Sequence, residues 1–149
     1  MRREDNIVAG LSMGGYGAIK AALTAPETFG ACASLSGALD IASFGERADL
    51  LPEWRCVFSH ELRRAEELRG TKHDIFYLAE KNKDEGKPYP KLYMWCGTED
   101  SLLDHSRRFS KLLSSLSVEH KYEESSGDHS WVFWDEHIKD ALSYLLGEA

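Results

Sequence analysis

Three side chains in this sequence are of the types that together turn a hydroxyl into a nucleophile: Ser12, Asp100 and His129. A serine hydroxyl attacks poorly until an imidazole takes its proton. The imidazole in turn needs a carboxylate to fix its tautomer and stabilise its charge. Ser12 sits at the centre of Gly10-Leu11-Ser12-Met13-Gly14, a G-x-S-x-G pentapeptide. Ile7, Val8 and Ala9 read as the end of a buried strand, and residues from Gly14 onward read as the start of a helix. Such a strand-to-helix elbow strains the serine backbone and lifts its hydroxyl clear of the sheet. Gly10 and Gly14 are expected because a Cβ at either place would collide with the neighbouring strand or the helix start. Gly15 and Gly17 are expected to keep the first helical turn slim against the sheet. The helix start also aims free backbone N–H groups at any oxyanion that develops beside Ser12. Taken alone, the pentapeptide also fits an inert glycine-rich turn or a phosphate cradle.

The rest of the chain supplies partners. In open α/β sheets the reactive loops lie at the carboxyl ends of the strands. Asp100 follows the run Lys91–Cys96 through a Gly97 turn, and His129 lies in the loop after the run Val118–Glu123. His60, His73, His105, His120 and His137 fall on predicted helix or strand surfaces, where a solvated imidazole is expected. Asp104 reads as the cap or first turn of the next helix, and Asp128 adjoins His129, which points the two side chains apart. Asp100 is therefore preferred as the acid. The order nucleophile, acid, histidine is that of the α/β-hydrolases and not of other serine-hydrolase folds. Zinc is a poor alternative, because the histidines lack close ligand spacing.

The elements that must hold these residues are legible in outline. A helix from Gly14 to about Leu23 ends at Thr24-Ala25-Pro26. Phe29–Leu35 reads as a strand buried on both faces. Residues 38–90 form a long excursion with helices expected over 59–69 and 75–81, their charges forming a solvated face, and a loop from Asn82 to Pro90. After the strand Lys91–Cys96, apolar residues from Leu102 to Leu116 recur at helical spacing. Val118–Glu123 alternates as a half-exposed strand, and Trp131–Leu146 reads as a final amphipathic helix. The alternation implies a parallel sheet flanked by helices.

The 149 residues suit one domain, spanning 1–149, with a sizeable core. A formal charge of −7 argues against nucleic acid as the main partner, and no apolar run reaches membrane-spanning length. Cys32, Cys56 and Cys96 are odd in number and widely spaced, with two in predicted buried strands. They read as small core residues of a reducing, cytoplasmic compartment and not as disulfides or metal ligands.

Four stretches carry a resemblance: Gly10–Ala18, Ser34-Leu35-Ser36-Gly37-Ala38-Leu39-Asp40, Cys96-Gly97-Thr98-Glu99-Asp100, and Gly127–Asp135. Together they resemble the tributyrin esterase family, within the esterase D / S-formylglutathione hydrolase-like α/β-hydrolases. The likeness extends over almost the whole chain. It implies cofactor-free, metal-free hydrolysis of short-chain acyl esters by a triad of Ser12, Asp100 and His129, with the Met13 backbone N–H as one oxyanion donor. The S-formylglutathione hydrolase branch is less similar around Leu11 and Tyr16. Trp131 fits either a wall of the substrate pocket or packing beneath the last helix. In that family several strands and helices precede the elbow, whereas eleven residues do here. The expectation is an α/β-hydrolase domain whose N-terminal strands are missing, together with the loop donating the second oxyanion N–H. Its nucleophile strand would then be a bare edge inviting a homo-oligomer or a complementing chain. Two alternatives stay open: a catalytically impaired fragment acting only by association, and an S-formylglutathione or other thioester or peptide hydrolase on the same scaffold.

Overall fold

The computed structural model describes residues 2–46, 51–58 and 63–147. Its spine is one parallel sheet with its strands in chain order: β1 (Ile7–Leu11), β2 (Ala31–Leu35), β3 (Lys91–Gly97) and β4 (His120–Ser125). Ile7 pairs with Ala31, Ala31 with Lys91, and Leu92 with His120. β2 is buried throughout and β3 from Leu92 onward, so both are continuous small or apolar runs without polar alternation. β1 and β4 are the edges and are mostly half-buried.

The helices are α1 (Met13–Thr24), α2 (Leu51–Val57), α3 (Ile75–Asp84), α4 (Leu103–Ser115) and α5 (Trp131–Leu146). Successive β3 side chains point to opposite faces. Leu92 and Met94 join Ile19, Leu23, Ile75, Phe109 and Leu113 from α1, α3 and α4. Tyr93 and Trp95 join Trp134, Ala141 and Leu145 from α5. Among the described residues no helix is long and apolar enough to cross a membrane.

The structure moves several expected boundaries. β4 begins at His120, not Val118. Ser117 takes a positive φ of 56°, and the Val118 N–H donates to the Leu113 carbonyl at 2.9 Å, so Val118 finishes the helix exit and packs into the core. Asn82, expected in a loop, lies within α3, buried, with its amide donating to the Leu23 carbonyl at 2.7 Å. The Asp74 carboxylate caps α3 by accepting the Phe76 N–H at 3.0 Å.

The helix expected over 59–69 does not form over its described part, and residues 59–62 lie outside the described residues. There the chain makes only a 3-10 turn, Ala65–Leu68, whose two buried residues lie three apart, the repeat of that tighter helix. Arg69 also departs from the solvated face. It pairs with buried Asp40 at 2.6 Å, and Arg108 of α4 meets the same carboxylate, which ties the excursion to α4. The 3-10 turn Ile41–Glu46 and α2, of six and seven residues, are too short to show a helical period.

Another pairing joins α4 to β4. Arg107 donates Nε and Nη2 to the two carboxylate oxygens of Glu124 at 2.8 and 2.7 Å. Those bonds, helped by the Tyr122 hydroxyl, hold the Glu124 carboxyl down at about 2. A carboxyl depressed in the folded state stabilises above its unfolded pKa of about 4.3 and loses that effect as pH falls toward 2. The pair is largely solvent-exposed, so its worth is small. Glu124→Gln is expected to lower the melting temperature by about 1–2 °C at pH 7. The difference from the parent should close as the melts are repeated from pH 4.5 downward.

Candidate active site

The three chemistry-bearing loops leave the carboxyl ends of β1, β3 and β4 and meet at one rim. Ser12 is the single residue between β1 and α1, with φ 52° and ψ −123°. A non-glycine residue there is strained and persists only where its surroundings over-determine it. Here they do. The Ser12 N–H donates to the Leu35 carbonyl at 3.0 Å, and its own carbonyl accepts the N–H groups of Gly15, Tyr16 and Ala38 at 3.0–3.2 Å. A Cβ on Gly10 would lie 2.1 Å from the Gly14 carbonyl oxygen, and one on Gly15 would lie 2.5 Å from Ser34 Oγ. Gly14 and Gly17 differ from expectation, because a Cβ on either meets nothing within 4 Å. The close approach runs from strand to helix backbone at Gly10, and the Gly14 side of the elbow is open.

Asp100 lies beyond β3, its side chain buried. Its Oδ1 accepts the Leu102 N–H at 2.8 Å, and its backbone N–H donates to the Gly97 carbonyl at 3.1 Å. Those bonds leave Oδ2 aimed at His129 Nδ1, 2.8 Å away. The carboxylate can only accept, so Nδ1 carries the imidazole proton and Nε2 presents a lone pair. Nε2 lies 2.9 Å from Ser12 Oγ. The ring meets Trp134 edge-on at a centroid distance of 4.9 Å, which limits its rotation. The arrangement can pass the serine proton to the imidazole while the carboxylate steadies the resulting charge.

The expected rivals stand elsewhere. The Asp104 side chain is 74% exposed and pairs with Arg108 at 2.6 Å, and Asp128 is exposed. His60 lies outside the described residues. The four remaining rival histidines are not the solvated groups expected, because each is engaged in packing or hydrogen bonding. Buried His105 accepts the Asp40 N–H at 3.1 Å, and burial followed by the charge of Arg108 pushes its pKa down. His73 meets Lys20 Nζ at 2.8 Å, and His120 lies 2.8 Å from Ser110 Oγ.

His137 forms a second serine–histidine–aspartate chain that sequence reasoning missed. Its Nδ1 lies 3.0 Å from Asp140 and its Nε2 3.1 Å from Ser125 Oγ, and its ring stacks on Trp95 at 4.1 Å. Trp95 Nε1 donates to the same Ser125 oxygen at 2.9 Å, which holds that hydroxyl between indole and imidazole at the root of the His129 loop. The three-residue spacing of His137 and Asp140 on one helix was the available signal.

Met13 is the first residue of α1, so its N–H is among those a helix start leaves without an intrahelical partner. Trp131 is 71% exposed, its ring edge-on to Trp134 at 5.4 Å. It lines a cleft of about 270 Å³ with Gly10, Leu11, Leu35 and Ile138, between the β1 edge and α5. Cys96 lies just below the rim, its thiol pushed up to about 11 by burial and then by the charge of Asp100.

Comparison with known proteins gives the family. The Esterase family model, described as "Putative esterase", matches residues 1–145. The chain belongs to the esterase family. An acetyl esterase of Caldicellulosiruptor saccharolyticus is 33% identical over 150 residues, covering 97% of this chain and 55% of the relative. Among solved structures, S-formylglutathione hydrolase (FrmB) from Staphylococcus aureus superposes with a TM-score of 0.82 at 32% identity, covering 97% of this chain and 56% of that one. The fluorophosphonate-binding serine hydrolase FphF of the same organism gives 0.80 at 35%, covering 97% and 55%. The esterase-family chain thus spans about half the length of these relatives. Its parallel sheet flanked by helices is the α/β-hydrolase architecture. The acetyl esterase and the S-formylglutathione hydrolase stand at nearly equal identity, so identity alone does not divide the two branches.

Proposed function

We propose that this chain carries the catalytic triad of a serine carboxylesterase acting on short-chain acyl esters. The observation that carries the reading is the unbroken path Asp100–His129–Ser12, with contacts of 2.8 and 2.9 Å. His129 Nε2 takes the Ser12 proton as Oγ attacks the ester carbonyl, and Asp100 stabilises the imidazolium. The Met13 N–H donates to the oxyanion. The imidazolium returns its proton to the departing alcohol, leaving acyl-Ser12; a water deprotonated by His129 then attacks the acyl carbon, and the imidazolium passes that proton to Ser12 Oγ as the acid leaves. Every proton moves between groups already present, so the steps call for neither metal nor cofactor. Trp131 walls the acyl or alcohol side of the site, supported by its contact with Trp134, which backs His129. A cytoplasmic setting belongs to the same reading, supported by three free cysteines.

The assay is turnover of p-nitrophenyl acetate and butyrate by the parent and by Ser12→Ala. Turnover is expected to fall at least about 10³-fold in the variant, and a parent indistinguishable from Ser12→Ala would sink the reading. A thioester substrate is the second reading, favoured by the 32% identity to an S-formylglutathione hydrolase. Running S-formylglutathione beside the oxygen esters separates the two.

One donor is fewer than an oxyanion hole normally uses, and loss of a donor costs about 10²–10³ in rate. The sheet offers a place for more chain. The outer edge of β1 pairs with no strand among the described residues, and the Trp131 cleft opens beside it. We place a further strand along this edge. In a preparation of these 149 residues alone, a second copy is the strand available. Such a preparation is expected to sediment as a dimer or larger, and a stable, monodisperse monomer would remove the edge from the proposal.

A further inference from the structure

The loops that carry Asp100 and His129 are joined to each other beside the triad, not only through it. The side chain next to Asp100 makes the join. Glu99 Oε2 accepts the Gly127 N–H at 2.6 Å and the Thr98 hydroxyl at 2.9 Å. In the opposite direction the Glu99 N–H donates to the Gly127 carbonyl at 3.0 Å, and the Thr98 N–H donates to the Ser125 carbonyl at 2.8 Å. Residues 98–99 and 125–127 therefore continue the β3–β4 ladder past the strand ends, and the carboxylate closes it two residues before His129. The approach is tight. A Cβ on Gly97 would lie 2.0 Å from the Gly127 carbonyl oxygen, and one on Gly127 would lie 2.9 Å from the Phe133 ring.

We propose that Glu99 is a positioning residue, clamping the histidine loop to the acid loop so that His129 Nδ1 stays within reach of Asp100. It touches none of the reacting atoms. The inference rests on the triad reading for its effect on rate, and on the loop geometry alone for its effect on the imidazole. A bond from an ionised carboxylate to a backbone N–H is a strong one. The Gly127 and Thr98 bonds, in that order, lower the Glu99 pKa, so the clamp is charged at neutral pH. A displacement of about 1 Å in a reacting group can cost on the order of 10²-fold, and no other side chain among the described residues hydrogen-bonds the Gly127 backbone.

The test compares the parent with Glu99→Ala and Glu99→Gln in the full chain. Glutamine keeps the reach and an acceptor oxygen, while alanine removes both. Three readouts are taken: the rate at which a fluorophosphonate probe labels Ser12, kcat and KM for p-nitrophenyl acetate, and the NMR signal of the proton between His129 Nδ1 and Asp100. Alanine is expected to slow labelling and kcat by about 10–100-fold with KM unchanged. It should broaden or erase the shared-proton signal, whereas glutamine stays within about threefold and keeps it. Alanine labelling at the parental rate with the signal intact overturns the clamp. So do losses in both variants that merely track the unfolded fraction measured in the same samples. A parent that neither labels nor turns over overturns the esterase reading alone. The clamp is then decided by whether alanine, and not glutamine, abolishes the Asp100–His129 signal.

Discussion

Replacing Asp100 by asparagine is expected to cut p-nitrophenyl acetate turnover by about 10⁴-fold while leaving the fold in place. The reason lies in which groups can donate. Asp100 Oδ2 faces His129 Nδ1 at 2.8 Å and, being acceptor-only, forces the proton onto Nδ1. An asparagine amide turned toward the ring offers N–H groups instead. The imidazole answers by moving its proton to Nε2, which then faces the Ser12 hydroxyl 2.9 Å away with no lone pair to receive it. Burial blocks an easy remedy, because water cannot readily replace the lost acceptor beside a carboxylate this enclosed. Asp104→Asn is the matched control. That side chain points into solvent against Arg108, and its replacement is expected to change turnover by no more than about twofold. Steady-state rates of the two variants, with circular dichroism to verify folding, decide the assignment. Asp100→Asn retaining a tenth or more of the parental rate would remove the carboxylate from the mechanism.

The second large effect is expected at Gly10. An alanine methyl there would stand 2.1 Å from the Gly14 carbonyl oxygen and 2.3 Å from its carbon. Both are backbone atoms of the first turn of α1, so no side chain can swing aside. The strand and the helix must move apart, and the strained Ser12 conformation held between them goes with that movement. Overpacking of this kind costs about 3 kcal/mol, which for a chain of this length lowers the melting temperature by roughly 6–12 °C. Fluorophosphonate labelling of Ser12 should be lost even in the fraction that stays folded. Gly14→Ala serves as the contrast. Its methyl meets nothing within 4 Å, and alanine in a helix is favoured over glycine by up to about 1 kcal/mol, so the variant should melt at or above the parental temperature. Thermal melts of the pair test this directly, and equal losses at both positions would contradict it.

That contrast marks how far the residues can be read without coordinates. The elbow was legible because a nucleophile needs a strained turn, and such a turn announces itself through glycines between an apolar run and a helix start. Which of those glycines is sterically required depends on what stands opposite. That was not legible: Gly10 faces a carbonyl and Gly14 faces open space. Asp100 and His129 could be picked out because sheet topology sends strand-end loops to one rim. The strands β2 and β3 were readable as unbroken apolar runs. Within the 38–90 excursion the helix over 75–81 was readable and forms as α3, but the shorter pieces before it were not, since they are held by long-range ties such as Asp40 with Arg69 and Arg108. His137 illustrates the same limit. Its residue type and helical position suggested a solvated ring, and only the packing of α5 on β3 reveals the indole beneath it.

Among the described residues one face of the sheet is covered by α5 alone, and His129 precedes that helix by only two residues. Loosening of α5 from the sheet would release the imidazole along with its aromatic backing, while the opposite layer still grips the strands. Denaturant should therefore silence hydrolysis at concentrations that leave most of the molecule native. Enzymatic activity would then report on how well α5 is docked, and not on the integrity of the whole.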